Sequence, residues 1–106
     1  MPPSHEAVAA QLALIEAELH RAGLWQEAPL PDEAFDFSRA FGADTMSYAQ
    51  WLQFVFVPRV RELVEARGEF PASSSVGAQA VREFDGFAEA DALVQLLSDF
   101  DALFDA

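Results

Sequence analysis

Apolar residues crowd into one stretch of this chain. From Trp51 to Val57 only Gln53 is polar. At 100° per residue these side chains cover almost the whole circumference of a helix, the pattern of a rod enclosed by other elements. After Pro58 the pattern changes: Val60, Leu63 and Val64 share one face and Arg59, Arg61, Glu62 and Glu65 the other, as on a surface helix. Ser47 and Gln50 stand at capping-box spacing, and Met46 and Trp51 at hydrophobic-staple positions. The spacing therefore predicts a helix from Tyr48 to Arg67, closed by Gly68 as its left-handed residue. Pro58 has no donor for the carbonyl of Phe54, and its ring presses on that carbonyl. This predicts a kink that wraps the rod over its neighbours; the other reading is a freed carbonyl lining a site.

The remaining elements are fitted around this rod. Val8, Leu12, Ile15, Leu19 and Ala22 recur at fours and threes, which predicts a first helix over His5 to Ala22, capped by Ser4 and ended by Gly23. Leu24 and Trp25 then tuck under the bundle. Residues 28–31 form an extended Ala-Pro-Leu-Pro connector, because residues before proline avoid the helical region. One helical turn follows over Asp32 to Asp36. Phe35, Phe37 and Phe41 lie in the loop that ends at Gly42. They are read either as a lid folded back on the core or as the wall of a ligand pocket. Residues 69–75 make a polar connector, a short helix runs from Gly77 to Phe84, and Asp85-Gly86 is a turn pair. A last helix spans Ala88 to Phe104, with Ala90, Leu93, Leu96, Leu97, Phe100, Leu103 and Phe104 on its apolar face. The expected architecture is all-α: four to five helices in one domain over residues 1–106, bundled around a buried, proline-kinked central helix.

Composition sharpens this picture. Ten phenylalanines and two tryptophans in 106 residues supply a large apolar area for one core. The absence of cysteine removes disulfides, thiolate metal sites and thiol catalysis and makes a reducing cytoplasm the default. No apolar run is long enough to span a membrane, which needs roughly 20 residues, and no signal-peptide pattern is present. Eighteen acids against six arginines give a net charge of −12. Phosphate backbones are bound by basic surfaces, so direct nucleic-acid binding and docking to an anionic membrane are not expected. The field favours a basic protein partner, or serves only solubility. From Glu83 to the end there are seven acids and no base. Asp99, Asp101 and Asp105 crowd the negative end of the last helix, which is locally unfavourable. The offset is expected from Arg59, Arg61 or Arg67, or from a basic partner.

Candidate chemistry is sparse. No phosphate-cradling glycine loop, zinc spacing or Ser-His-acid set stands out, so no catalytic residue, metal or cofactor is assigned and the chain is read as a non-enzyme. Glu16 and His20 can meet on one helix face, but a metal needs three or four ligands, and a solvated pair is the simpler reading. Gln53, facing the core, needs partners: either a tertiary hydrogen bond to a loop or a ligand. Asp44 and Thr45 bond loop amides at the helix entry, or form a polar site. The candidate contact residues are Phe37, Phe41, Asp44, Trp51, Gln53, Arg59, Asp99 and Asp101.

Gly-Leu-Trp at 23–25, Glu-Ala-Phe at 33–35, Asp-Thr-Met at 44–46, the block Trp-Leu-Gln-Phe-Val-Phe-Val-Pro-Arg at 51–59, and Leu103-Phe104 after Asp101 together resemble the YqcC-like family of small bacterial proteins. Many members have proline where Tyr48 stands, which suits a first helical position. The match is weakest over 72–90. The resemblance implies an all-α domain and supplies no activity. Some members are encoded next to a tRNA pseudouridine synthase. The expectation is a non-catalytic, acidic protein-interaction domain, accessory to such an RNA-modifying system. The alternative is a small-molecule binding protein with an aromatic pocket under the 35–41 loop, near Trp51 and Gln53. A monomer and a homodimer through leftover apolar surface both stay open.

Overall fold

In the computed structural model, which describes residues 2–105, helix α1 (His5–Arg21) starts where Ser4 Oγ accepts the Ala7 amide at 3.0 Å. Its seam is the predicted one: Val8, Leu12, Ile15 and Leu19 are all buried. Enclosing each such side chain stabilises the fold by about 1.5–3 kcal/mol relative to leaving it in water. Gly23, with φ +73°, turns the chain so that the Leu24 amide bonds back to the Leu19 carbonyl. This tucks Leu24 and Trp25 against the core. The turn Asp32–Phe35 is a 3-10 helix, and a second such turn spans Ala40–Gly42.

The central rod is three segments end to end. They are α2 (Tyr48–Trp51), a π-helical turn (Leu52–Phe56) and α3 (Val57–Glu65). Both halves of the Ser47–Gln50 capping box form, and Met46 packs with Trp51 as a staple does. Leu52, Val55, Phe56 and Val57 are buried, as is Gln53. The predicted kink at Pro58 takes the form of the π turn. The Val57 amide bonds to the Leu52 carbonyl, five residues back, and this wider turn gives the proline ring its room. At the far end the left-handed residue is Arg67, with φ +51°, instead of Gly68. A Cβ on Gly68 would lie 3.0 Å from Leu63 Cδ2, so that side chain would have to give slightly.

After the 69–75 connector come α4 (Val76–Glu83), a 3-10 turn (Ala88–Ala90) and α5 (Asp91–Ala102). The last helix therefore ends earlier than its apolar pattern predicts, and its first turn is 3-10. Helix α1 packs on α3 and α5, and α4 packs on α5. The α4–α5 approach is very close: a Cβ on Gly77 would sit 2.4 Å from the Ser98 Cα. No strand occurs among the described residues. The fold is a small all-α bundle around the buried rod, and among the described residues no helix is long and apolar enough to cross a membrane.

Candidate functional site

The polar candidates divide by what they hold. Gln53 is a two-point clamp: its Oε1 accepts the Gln26 amide at 3.0 Å and its Nε2 donates to the Gln26 carbonyl at 2.8 Å. Gln50 adds a bond to the Gln26 side chain. Gln53 thus has the tertiary partner that a buried amide requires and is spoken for within the protein. Asp44 accepts the Ser38 amide and hydroxyl through Oδ2, and the Arg39 amide through Oδ1. These bonds, the Ser38 amide foremost, hold its pKa below the ordinary aspartate value. Thr45 donates to the Ala34 carbonyl at 2.6 Å. Both residues shape the loop into the rod.

Asp101 is a cap supplied from another helix. Its carboxylate accepts the Val76, Gly77 and Ala78 amides, and the Ser74 hydroxyl at 2.6 Å. It thereby satisfies the first amides of α4. The buried Tyr48 hydroxyl donates to the Val76 carbonyl at 2.6 Å. Burial, then the nearby Asp101 and Glu83 charges, push the Tyr48 pKa well above its ordinary value. The expectation that Arg59, Arg61 or Arg67 offsets the acids of the last helix is corrected here. Arg61 pairs with Glu16 and Arg67 with Glu6, so these arginines serve α1. The offset at Asp101 is the positive end of α4. Among the described residues Asp99 takes only a bond from Gln95, one turn away. Glu16 is thus engaged by Arg61, and His20 stacks on Trp25 at 4.4 Å, so the Glu16–His20 pair does not form.

The aromatic candidates separate as well. Phe41 has φ +57°, a costly backbone for a non-glycine residue, and is held by edge contacts to Tyr48 and Trp51 at 5.6 and 5.0 Å. Phe37 packs beside Ala34, Met46 and Val55. Phe35 is exposed. The 35–41 loop is therefore a lid on the core for two of its three rings. The pocket expected beneath it joins Phe37, Phe41, Trp51 and Gln53. A cavity of about 220 Å³ does lie against this loop, lined by Phe35, Phe37, Phe54, Arg59 and Glu62 among others, whereas Phe41 and Trp51 border two other cavities. A cavity of about 280 Å³ opens elsewhere, between the rod, the 69–75 connector and the end of α5. Five rings line it: Trp51, Phe56, Phe70, Phe100 and Phe104. Arg59 lies on its wall, exposed and paired with no carboxylate among the described residues. Of the sequence candidates, this cavity gathers Trp51 and Arg59 only. Phe70 and the serines of 73–75 are the residues that sequence reasoning missed. The Phe70-Pro71 pair inside an otherwise polar connector was the available signal.

These features define a small acidic all-α bundle whose rod is interrupted by a π turn before a proline. The chain belongs to the DUF446 family, whose description reads "tRNA pseudouridine synthase C"; the family model matches residues 7–103. An uncharacterized protein of Haemophilus influenzae is 34% identical over 77 residues, covering 70% of this chain and 73% of that one. YqcC of Escherichia coli, likewise uncharacterized, is 30% identical over 73 residues, covering 69% and 67%. The solution NMR structure of YqcC superposes with a TM-score of 0.82 at 27% identity, covering 94% of this chain and 86% of that one. A protein of Pectobacterium carotovorum subsp. carotovorum named tRNA pseudouridine synthase C is 39% identical over 59 residues. That match covers 56% of this chain but only 16% of the longer protein.

Proposed function

We propose that this chain is a non-catalytic, acidic interaction domain that works beside a tRNA pseudouridine synthase. The observation that carries the reading is the Pectobacterium match, in which a segment like this one occupies about a sixth of a longer protein bearing the synthase name. A domain found inside a longer chain in one organism and as a short chain in others is a natural partner of the remainder of that longer chain. The electrostatics support the same reading. An enzyme that binds tRNA presents basic surface, and this chain has a net charge of −12. None of the acids from Glu83 onward has an arginine partner among the described residues. Charge of this kind steers association and sets specificity more than it sets affinity.

The test is a titration of this protein into the tRNA pseudouridine synthase of the same organism, at low and at raised salt. The reading expects a defined complex that weakens steeply as salt is added. Absence of a complex at every salt concentration contradicts it.

A further inference from the structure

We propose that the cavity between the rod, the 69–75 connector and the end of α5 binds a small aromatic monocarboxylate, its ring among Phe56, Phe70 and Phe104 and its carboxylate on Arg59. Volume sets the scale. At about 280 Å³ the space is at the small end of ligand sites, which suits one ring and a short acidic arm. The wall is built for the body of such a ligand. Phe70 meets Phe104 edge-on at 6.0 Å, and Phe100 meets Phe56 edge-on at 5.1 Å. A further ring entering between such faces finds the offset or edge contacts that aromatic groups favour.

Charge fixes the class of the polar end. Eighteen of the 106 residues are acids, yet no acid lines this cavity and one arginine does. Arg61 and Arg67 are engaged by α1, whereas Arg59 is engaged by nothing among the described residues. The hydroxyls of Ser73 and Ser75, also on the wall, have no hydrogen-bond partner among the described residues, in contrast to Ser74, which donates to Asp101. The start of α4 is not the anion site, because Asp101 already occupies its amides. A planar guanidinium with free donors is the group that matches a carboxylate. The overall negative charge opposes an incoming anion, but at about 0.15 M salt that repulsion is screened within about 8 Å.

The test compares phenylacetate with phenylacetamide, which share shape and differ in charge. Each is titrated at about 0.15 M salt into the full chain, with backbone amide NMR shifts as the readout. The proposal expects saturable shifts at Val60, Phe70 and Ser75, with the acid binding about tenfold tighter than the amide, the difference a charged hydrogen bond makes. Arg59→Gln, which keeps most of the side chain, should remove that preference while leaving the unfolding midpoint unchanged, since Arg59 makes no hydrogen bond or ion pair among the described residues. Absence of saturable shifts, equal binding of the two probes, or a preference that survives Arg59→Gln overturns it.

Discussion

The two long connectors that flank the central rod are held in different ways. The first, between α1 and α2, is pinned by polar side chains that complete its backbone bonds. Gln53 holds Gln26, Asp44 holds Ser38 and Arg39, and Thr45 holds Ala34. The second, between α3 and α4, has no amide over 69–75 bonded to another group among the described residues. It is fixed by contacts of Phe70 with His5 and Phe104, and by the Ser74–Asp101 bond at its end. Where polar side chains take up backbone groups in this way, those groups are no longer available to a ligand. Where rings do most of the fixing, the connector borders the cavity of about 280 Å³. The polar candidates of the first connector hold its backbone, and the second connector is the one that borders the proposed ligand cavity.

Substitutions can break or sharpen this contrast. The largest effect is expected from Asp101→Ala. It strips the end of the second connector and the start of α4 of their shared acceptor, and should cost about 3 kcal/mol in chemical denaturation. Gly77→Ala comes next, at about 2 kcal/mol, because the added methyl forces α4 off the Ser98 backbone; unchanged stability would mean that the close approach is not real. Gln53→Ala leaves the Gln26 amide and carbonyl unpaired and should cost about 1–2 kcal/mol, with the first connector loosened and the second unaffected. Phe70→Leu keeps apolar bulk and should cost under about 1.5 kcal/mol, so it alters the cavity without unfolding the protein.

The smallest effect is one of pH. The folded pKa of Asp44 is lowered, so its contribution is fully present above the unfolded value of about 3.9. That contribution is lost as pH falls through the folded pKa. A pH titration followed at the Ser38 amide should show its midpoint below the ordinary aspartate value; a midpoint at or above it would remove Asp44 as the organiser of the loop.

Much of this was legible in the sequence. The seam of α1, the capping box at Ser47 and the enclosure of Trp51 to Val57 follow from periodicity and local chemistry, which need no knowledge of distant contacts. The fate of Gln53 was legible as a requirement for partners, though Gln26 as the partner was not. Other features depended on residues far apart in the chain. Asp101 was read by its place at the end of its own helix, whereas its role comes from the start of α4, 23 to 25 residues earlier. Gly77 read as an ordinary helix position because the Ser98 backbone is invisible in a one-dimensional pattern. The position of the cavity was missed for the same reason: its walls come from 51–63, 70–76 and 100–104, and of these only Trp51 and Arg59 had been named as contact residues. The glycine at 68 suggested a left-handed turn, but the chain makes that turn one residue earlier, at Arg67.

The most direct test of the contrast is amide hydrogen exchange, residue by residue, with and without saturating phenylacetate. The account predicts that in the free protein the Gln26 and Ser38 amides exchange more slowly than those of Phe70 and Ser73. It also predicts that ligand slows exchange over 69–75 and leaves Gln26 and Ser38 unchanged. Equal protection of the two connectors in the free protein, or ligand protection appearing on the first connector instead of the second, would contradict it.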